Sequence, residues 1–146
     1  MNVAGRNPKT KTINERKLKM ATRSTIWIKK ANGKYDGIYC HWDGYPDGVG
    51  AVLKEHFTDV EKVKALIELG AISQLWESID CPTGHCFDSP APNCTIAYHR
   101  DRGEELEVWR DMTISELFTE DYNYIFNKGK WKYFKWDNRK SLKTIS

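Results

Sequence analysis

The clearest pattern near the start of the chain is a pair of strand-like segments joined by a tight turn. Residues 24–29 are dominated by β-branched and aromatic side chains, which are typical of a strand. Asn32-Gly33 follows, and this dipeptide favours a hairpin turn because both of its residues tolerate positive φ. Residues 35–42 therefore predict the returning strand. Its alternation places Ile38, Cys40 and Trp42 on one face and Tyr39 and His41 on the other.

Two helices are predicted after this hairpin. A loop over residues 43–50 contains three glycines and a proline, and a first helix is expected over residues 49–56. A second stripe of apolar residues at helical spacing begins after Asp59, a residue type that caps helices, and ends at Gly70. Two consecutive helices between strands suit a cover over one face of a sheet.

The second half of the chain predicts two more hairpins with a short helix between them. Thr113 and Glu116 form a capping-box pattern, which indicates the start of that helix. In the last hairpin, lysines are interleaved with aromatic residues. This is typical of an edge strand, although the same pattern could bind single-stranded nucleic acid. The two hairpins comprise residues 94–100 with 106–110 and residues 122–127 with 131–136.

Together these elements predict an α+β fold. We expect a single domain with a mainly antiparallel sheet of about six strands and two or three helices on one face. Residues 77–93 contain three prolines and one glycine without any periodicity. They are expected to form an irregular loop.

Composition limits the class of protein. The chain has 146 residues, of which 40% are hydrophobic, and is therefore able to bury a core. Apolar runs last only a few residues, so no segment is expected to span a membrane. The basic N-terminus lacks the apolar stretch of a secretory signal. The four cysteines are accordingly expected to be reduced thiols in the cytoplasm.

The net charge of +3 conceals three segments of different sign. Residues 1–19 carry +5, residues 20–127 carry −8 and residues 128–146 carry +6. The two basic ends could hold an acidic partner, but such ends are usually solvated tails. The predicted folded part is therefore acidic.

The first residues have the features of a translated leader. Glu15-Arg16-Lys17 can be encoded by a purine-rich run shortly before Met20, where a bacterial ribosome-binding site would lie. We therefore expect residues 1–19 to be a basic leader that folding does not require. The domain is expected over residues 20–136, followed by a basic tail over residues 137–146.

Two His-x-Asp segments are candidates for catalysis. If they flank one cleft, His41 and His99 could act as acid and base on a phosphate ester, with an arginine stabilising the developing charge. Two-histidine phosphoesterases carry two copies of a His-x-Thr or His-x-Ser motif. This chain has Asp43 and Asp101 at the third position of each motif, and an Asp there would repel a phosphate. The alternative is that each Asp caps its turn and each His is half buried.

Four side chains could ligate a metal ion: Cys81, His85, Cys86 and Cys94. Their spacing contains no Cys-x-x-Cys knuckle, and the adjacent His85 and Cys86 would both have to face one ion. Free cysteines of this kind are more often small buried hydrophobic residues. The sequence therefore predicts no metal site and no cofactor.

Two turns could form a recognition surface. Glycine amides at the start of a helix in turn 43–50 and arginines in turn 100–105 could together hold a phosphate or carboxylate. Tyr45 could stack on a base. The alternative is that both are ordinary turns whose glycines serve the backbone alone. The predicted ligand-binding residues are Arg23, His41, Asp43, Tyr45, His99, Arg100 and Arg102.

Three segments together resemble a group of small proteins of unknown function encoded by phages and prophages. They are ATRSTI at residues 21–26, YCHWDGYP at 39–46 and AYHRDRGE at 97–104. The resemblance runs from about Met20 through Trp136, and the irregular loop over residues 77–93 is not part of it. It implies a phage accessory protein in the cytoplasm of a bacterial host, and it supplies no catalytic residues.

This resemblance leads us to expect a non-enzymatic binding protein that counters host defence. Its partner would be a host defence protein or a small anionic ligand such as a nucleotide, without a membrane, and the chain could form a homo-oligomer. A phosphoesterase or nuclease that uses His41 and His99 is one alternative. The other is an acidic mimic of nucleic acid, presented by the negative surface of residues 20–127.

Overall fold

The computed structural model describes residues 21–117, 120–135 and 142–145. The predicted leader over residues 1–19 lies outside the described residues. No helix in the described part of the chain is long and apolar enough to cross a membrane. The strands are β1 (Ser24–Lys29), β2 (Tyr35–Cys40), β3 (Ile72–Gln74), β4 (Ile96–Ala97), β5 (Trp109–Met112), β6 (Tyr122–Asn127), β7 (Lys130–Lys135) and β8 (Lys143–Thr144). The helices are α1 (Ala51–His56), which continues a π-helical turn over Pro46–Gly50, α2 (Val60–Glu68) and α3 (Tyr98–Arg102), and a 3₁₀ turn spans Ile114–Glu116.

The strands form one mixed sheet. Seven of them run in the order β4-β3-β2-β1-β6-β7-β8, and β5 pairs with β2 outside this order. Two of the pairings are parallel, β1 with β6 and β2 with β3, and the others are antiparallel. The predicted α+β single domain is confirmed, with eight described strands in place of about six.

The predicted basic tail contributes a strand to this sheet. β8 pairs antiparallel with β7 at Lys132 and Tyr133, and Ile145 is buried. The last hairpin was expected at an edge, but β7 has β6 on one side and β8 on the other. Trp136, the last residue of the predicted strand, lies outside the described residues.

One face of the sheet packs against α1 and α2, as expected. Ile26 of β1, Leu53 of α1 and Leu66 of α2 are fully buried in the core between them. The Asp59 carboxylate accepts a backbone N–H of the first turn of α2 at 3.3 Å, which caps this helix. Gly70 follows the end of α2 in the left-handed conformation, with φ +77°.

The opposite face carries a second apolar cluster around Trp27. This residue lies across from Gly37 in the β1–β2 pairing, and Trp109 lies across from Gly37 in the β2–β5 pairing. Since Gly37 has no side chain, the two indoles can stack over it, with ring centroids 5.3 Å apart and planes inclined by 19°. The rest of the cluster consists of Tyr35, Leu117, Ile125 and Phe134.

The hairpin predicted over residues 94–110 is wrong. β4 ends at Ala97, whose N–H donates to the Asp101 carboxylate at 2.8 Å, and this bond bends the chain into α3. Gly103, with φ +75°, then ends the helix. The following strand, β5, begins only at Trp109, and it pairs with β2 instead of β4.

β2 ends at Cys40, two residues earlier than predicted. The backbone N–H groups of His41 and Trp42 nevertheless donate to the carbonyls of Ile72 and Ser73 at 3.1 and 3.0 Å. The chain therefore stays beside β3 as it leaves the sheet. Trp42 is 42% exposed, so its ring does not join the buried residues of β2.

The substitution Gly37→Ala tests the packing on the second face. A Cβ at residue 37 would overlap the Cδ2, Cε3 and Cζ3 atoms of Trp27, so the indole or the strand must shift. Overpacking of this kind costs about 1–3 kcal/mol, and we expect a loss of that size in the free energy of unfolding measured with urea. In a Trp27→Leu background the added methyl group meets a smaller side chain, and its cost should fall by roughly half. An equal cost in both backgrounds would contradict this packing.

Candidate functional site

The glycine-rich turn uses its backbone amides internally. Gly44 N–H donates to the Thr22 carbonyl at 2.8 Å, and Gly48 N–H donates to the Tyr45 carbonyl at 2.9 Å. Gly50 N–H also points to the Tyr45 carbonyl, at 3.5 Å. The predicted role of these amides in holding an anion is therefore wrong, because each one already has an acceptor.

The side chains of this turn do not favour an anion either. The Asp43 carboxylate accepts hydrogen bonds from Gln74 at 2.9 Å and from the Tyr45 hydroxyl at 3.4 Å. A groove of about 260 Å³ beside the turn includes Asp43, Asp47 and Glu55 in its lining. An anionic ligand would meet three carboxylates there. Asp43 and Tyr45 therefore belong to an acidic surface.

The arginines predicted to meet the ligand are engaged within their own region. Arg100 donates to both carboxylate oxygens of Asp101, at 2.8 and 2.9 Å, and to the carbonyls of Ile79 and Thr95, at 2.6 and 2.7 Å. This guanidinium fixes the irregular loop to α3. Arg102 pairs with Glu104, and its guanidinium lies 4.1 Å from the ring centroid of Phe87.

His99 is oriented by a backbone acceptor. Its Nδ1 lies 2.7 Å from the Glu104 carbonyl oxygen and must therefore carry the hydrogen. The Nδ1–H of His99 is therefore used within the chain and is not available to a ligand. His99 belongs to α3, at the opposite end of β3 from the acidic turn.

β3 separates the two turns that were predicted to flank one cleft. The acidic turn is tied to Gln74 at the end of β3, whereas Tyr98 N–H donates to the Ala71 carbonyl just before β3 begins. In the described part of the chain, no hydrogen bond or ion pair joins His41 to His99. Each of the two histidines already uses its Nδ1 within the chain, His41 with the Tyr39 hydroxyl and His99 with the Glu104 carbonyl.

A different group forms where β1 begins and β2 ends. The Tyr39 hydroxyl lies 2.8 Å from His41 Nδ1, and the Trp42 ring packs edge-on against the His41 ring at 4.7 Å. Arg23 precedes β1, and its charge is close enough to act on both Tyr39 and His41, although burial has the larger effect on the pKa of each. We refer to Arg23, Tyr39, His41 and Trp42 as the Arg23–His41 site. It unites two of the predicted ligand-binding residues, Arg23 and His41.

Both members of this pair are neutral at pH 7. Burial, and then the positive charge of Arg23, lowers the pKa of His41, so the imidazole is neutral at pH 7. Burial raises the pKa of Tyr39, so the phenol keeps its proton. With both groups neutral, either the Tyr39 hydroxyl donates to Nδ1 and the hydrogen of His41 is on Nε2, or Nδ1–H donates to the Tyr39 oxygen. Among the described residues, His41 Nε2 has no hydrogen-bond partner.

A cleft opens beside Tyr39 where β2 changes its neighbour from β5 to β3. Its volume is about 350 Å³, within the range of small-molecule sites. Sequence analysis missed this cleft, although alternation had already put Tyr39 on the same face as His41. The segment that closes it precedes β5 and was assigned to the wrong hairpin. The lining residues are Tyr39, Ala71, Leu106, Glu107, Val108 and Trp109.

Two acidic residues lie near the Arg23–His41 site. Asp121 accepts the backbone N–H of Arg23 at 3.3 Å. Burial raises the pKa of Glu120, although Arg23 acts in the opposite direction. The guanidinium of Arg23 itself donates to no described residue. Sequence analysis did not identify Glu120, because it comes close to β1 and β2 only through the parallel pairing of β1 with β6.

A basic groove occupies the same face at the other end of β1. It has a volume of about 430 Å³, and its four lysines have no carboxylate partner among the described residues. Ile114, Ile125 and Leu142 contribute apolar surface to it. Such a groove attracts anionic groups. The lysines are Lys29, Lys128, Lys130 and Lys132.

The irregular loop brings three of the four candidate metal ligands together. The ligand atoms of Cys81, His85 and Cys94 lie within 4.8 Å of one another. Cys86 is exposed and does not belong to this group. Burial raises the pKa of the Cys81 thiol to about 11, so this thiol is protonated in the metal-free chain. The spacing of these residues along the sequence did not predict their convergence.

The comparisons with known proteins add no assignment to this geometry. No protein-family model, curated protein or solved structure matches the chain.

Asp101 provides a test of how the irregular loop is held. Its side chain is 3% exposed and forms an ion pair with Arg100, whose side chain is 30% exposed. Removing one partner of a fully buried pair costs about 3–5 kcal/mol; because solvent reaches Arg100, we expect Asp101→Asn to lower the free energy of unfolding at pH 7 by about 2–3 kcal/mol. Asp111→Asn is the matched control. Asp111 is exposed and pairs with Lys30, so its substitution should change the stability little.

The pH dependence of this loss follows from the pKa of Asp101. Burial acts to raise it, but hydrogen bonds from Arg100, Ala97 and His85 outweigh burial and hold the pKa below its usual value. The stabilisation is therefore complete above the pKa of an unfolded Asp, about 3.9, and is lost as the pH falls through the lower folded pKa. The gap between wild type and Asp101→Asn should be constant from about pH 5 to 7 and shrink below about pH 4. A gap that widens on acidification would refute this role.

Proposed function

We propose that this chain is a non-enzymatic binding protein whose ligand is a small anion of the nucleotide class, held at the Arg23–His41 site. The observation that carries the proposal is the hydrogen bond between the Tyr39 hydroxyl and His41 Nδ1 beside the guanidinium of Arg23. We assign Tyr39 as its donor, so that the imidazole keeps its hydrogen on Nε2, next to a guanidinium that has no described acceptor. A phosphate oxygen accepts hydrogen bonds from both groups.

The surroundings of these donors support a nucleotide over a bare inorganic anion. Trp42 exposes 42% of its surface beside His41 and offers a face on which a base can stack. The cleft of about 350 Å³ beside Tyr39 has Leu106 and Trp109 in its lining and can take an apolar ring. Glu120, whose pKa burial raises, offers a carboxyl group to base N–H donors. A ligand with a phosphate and an aminated base would use all of these groups.

The same geometry favours binding over hydrolysis. Hydrolysis by two histidines needs an acid and a base within hydrogen-bonding reach of one ester group. His99 Nδ1 is bound to the Glu104 carbonyl and His41 Nδ1 is bound to the Tyr39 hydroxyl, so one nitrogen of each ring is already used within the chain. A neutral His41 whose Nδ1 already accepts a hydrogen bond can donate to a ligand without accepting a proton from it.

The proposed biological role combines this site with the sequence resemblance. The segments around His41 and His99 resemble small phage and prophage proteins, so we place the chain in the cytoplasm of a bacterial host as part of the proposal. There, a protein that binds a nucleotide signal would deprive a host defence system of its activator. The alternative is that the chain binds a host defence protein directly.

The basic groove supports a second candidate, the binding of a polyanion such as single-stranded nucleic acid. Four lysines without described partners surround it, with apolar side chains between them. Binding there would depend on counterion release and would fall steeply with salt. The acidic-mimic alternative receives less support, because Glu68 and Asp101 are paired with arginines of the same chain.

Two arginine variants test the proposed site. We expect Arg23→Ala to raise the Kd for a nucleotide by about tenfold or more, because a charge-assisted hydrogen bond contributes about 1.5–3 kcal/mol. Arg102→Ala is the matched control, since this arginine is also exposed and is paired with Glu104 in the predicted but unsupported cleft. The measurement is isothermal titration against a panel of mono-, di- and cyclic nucleotides, with mass spectrometry of the ligand afterwards.

Each outcome of this titration has a defined meaning. A Kd that rises for Arg23→Ala alone, with the nucleotide recovered intact, supports the proposal. A Kd that responds to Arg102→Ala and not to Arg23→Ala would move the site to α3 and contradict it. Binding that is lost only in Lys130→Glu would favour the basic groove, and recovery of a hydrolysed nucleotide would indicate an enzyme.

A further inference from the structure

We propose that Cys81, His85 and Cys94 bind a zinc ion, with water in the fourth coordination position. The three ligand atoms already lie within 4.8 Å of one another. Tetrahedral zinc with bonds of about 2.3 Å to sulfur and 2.0–2.1 Å to nitrogen puts its ligand atoms roughly 3.5–3.8 Å apart. The cluster therefore has to contract by no more than about 1.3 Å to close on an ion.

The histidine is held as a zinc ligand is commonly held. Its Nε2 donates to the Asp101 carboxylate at 3.0 Å, and the side chains of His85 and Asp101 are only 2% and 3% exposed. A carboxylate behind a histidine fixes the ring and strengthens its other nitrogen as a ligand. That nitrogen, Nδ1, now accepts the N–H of Ala91 at 2.9 Å, and the ion would take the place of this hydrogen bond.

The surroundings balance the charge of a divalent ion bound by two thiolates. Zinc and the thiolates of Cys81 and Cys94 sum to zero, and Arg100 and Asp101 neutralise each other beside them. Arg100 also donates toward the Cys81 sulfur at 3.6 Å, a contact that stabilises a thiolate. Two sulfurs and one imidazole nitrogen are donors that suit zinc better than magnesium or calcium.

The irregular loop is the part of the domain that most needs such a cross-link. Between β3 and β4, residues 77–93 contain no helix or strand, and a single bridge joins Ser78 to Cys94. Loops of this length without secondary structure are uncommon in compact domains. A bound ion would join residues 81 and 85 of the loop to residue 94 at the start of the β4 segment.

The test uses the full chain purified under reducing conditions without chelator or affinity tag. We expect about one zinc per chain by elemental analysis and native mass spectrometry. Replacement by Co²⁺ should give the sulfur-to-cobalt charge-transfer absorption and the intense visible bands of a tetrahedral site. Cys81→Ala and His85→Gln should each lose the metal, while Cys86→Ser, a cysteine of the same loop outside the cluster, should keep it.

Several results would overturn the proposal. Less than about a tenth of an equivalent of zinc in the wild type, after incubation with zinc salt at neutral pH, is one of them. A Cys81–Cys94 disulfide in the freshly purified protein is another, and loss of metal from Cys86→Ser is a third. If circular dichroism shows that Cys81→Ala does not fold, titration of the wild-type thiols with and without zinc tests the site instead. Zinc should protect two of the four cysteines from the reagent, and equal reactivity with and without zinc would exclude the site.

Discussion

The contact between the Trp27 indole and the backbone of Gly37 is the constraint on which this sheet depends. It allows Trp109 to stack on Trp27, and this stack anchors β5 beside the first half of β2. β5 therefore covers β2 only as far as Gly37, and the second half of β2 pairs with β3 from Cys40 onward. Tyr39 lies at this change of neighbour, where the cleft of the Arg23–His41 site opens.

The buried carboxylate of Asp101 organises the other half of the molecule. It accepts hydrogen bonds from the Ala97 backbone, from His85 and from Arg100. These bonds start α3, orient the imidazole of the three-ligand cluster and fix the irregular loop through Arg100. The guanidinium of Arg100 already donates to four oxygen acceptors within the chain. Arg100 is therefore not available to bind a ligand as predicted. Arg100 thus holds the loop, whereas the proposed site uses Arg23.

Local patterns predicted the parts of the fold that local forces determine. β-Branched and aromatic residues, alternation and turn signals identified β1, β2, β6 and β7, and the cap at Asp59 with the glycine at residue 70 bounded α2. The hairpin over residues 94–110 was wrong because the Asp101 side chain bends the chain after β4 and because β5 pairs with the distant β2. Neither interaction changes the hydrophobic periodicity of this segment. The position of β5 depends on Trp109 meeting Trp27, which are 82 residues apart in the sequence.

The candidate sites show the same limit. Sequence analysis selected Arg23 and His41, and alternation alone put Tyr39 beside His41. It could not show that Arg100 and Arg102 pair with neighbouring carboxylates, because each pairing depends on the turn the backbone takes. It also judged Cys81, His85 and Cys94 by their spacing, whereas their approach depends on the path of a loop without secondary structure.

The most direct test of the account is the protonation state of His41, read by long-range ¹H–¹⁵N correlation spectroscopy of the full chain. We predict a neutral ring at pH 7 with the hydrogen on Nε2, an Nδ1 signal typical of a hydrogen-bonded acceptor, and a titration midpoint below about 6.5. The Nε2 signal should shift when a nucleotide is added. An imidazolium at pH 7, or a hydrogen on Nδ1, would contradict the arrangement of Tyr39, His41 and Arg23 on which the proposed function rests.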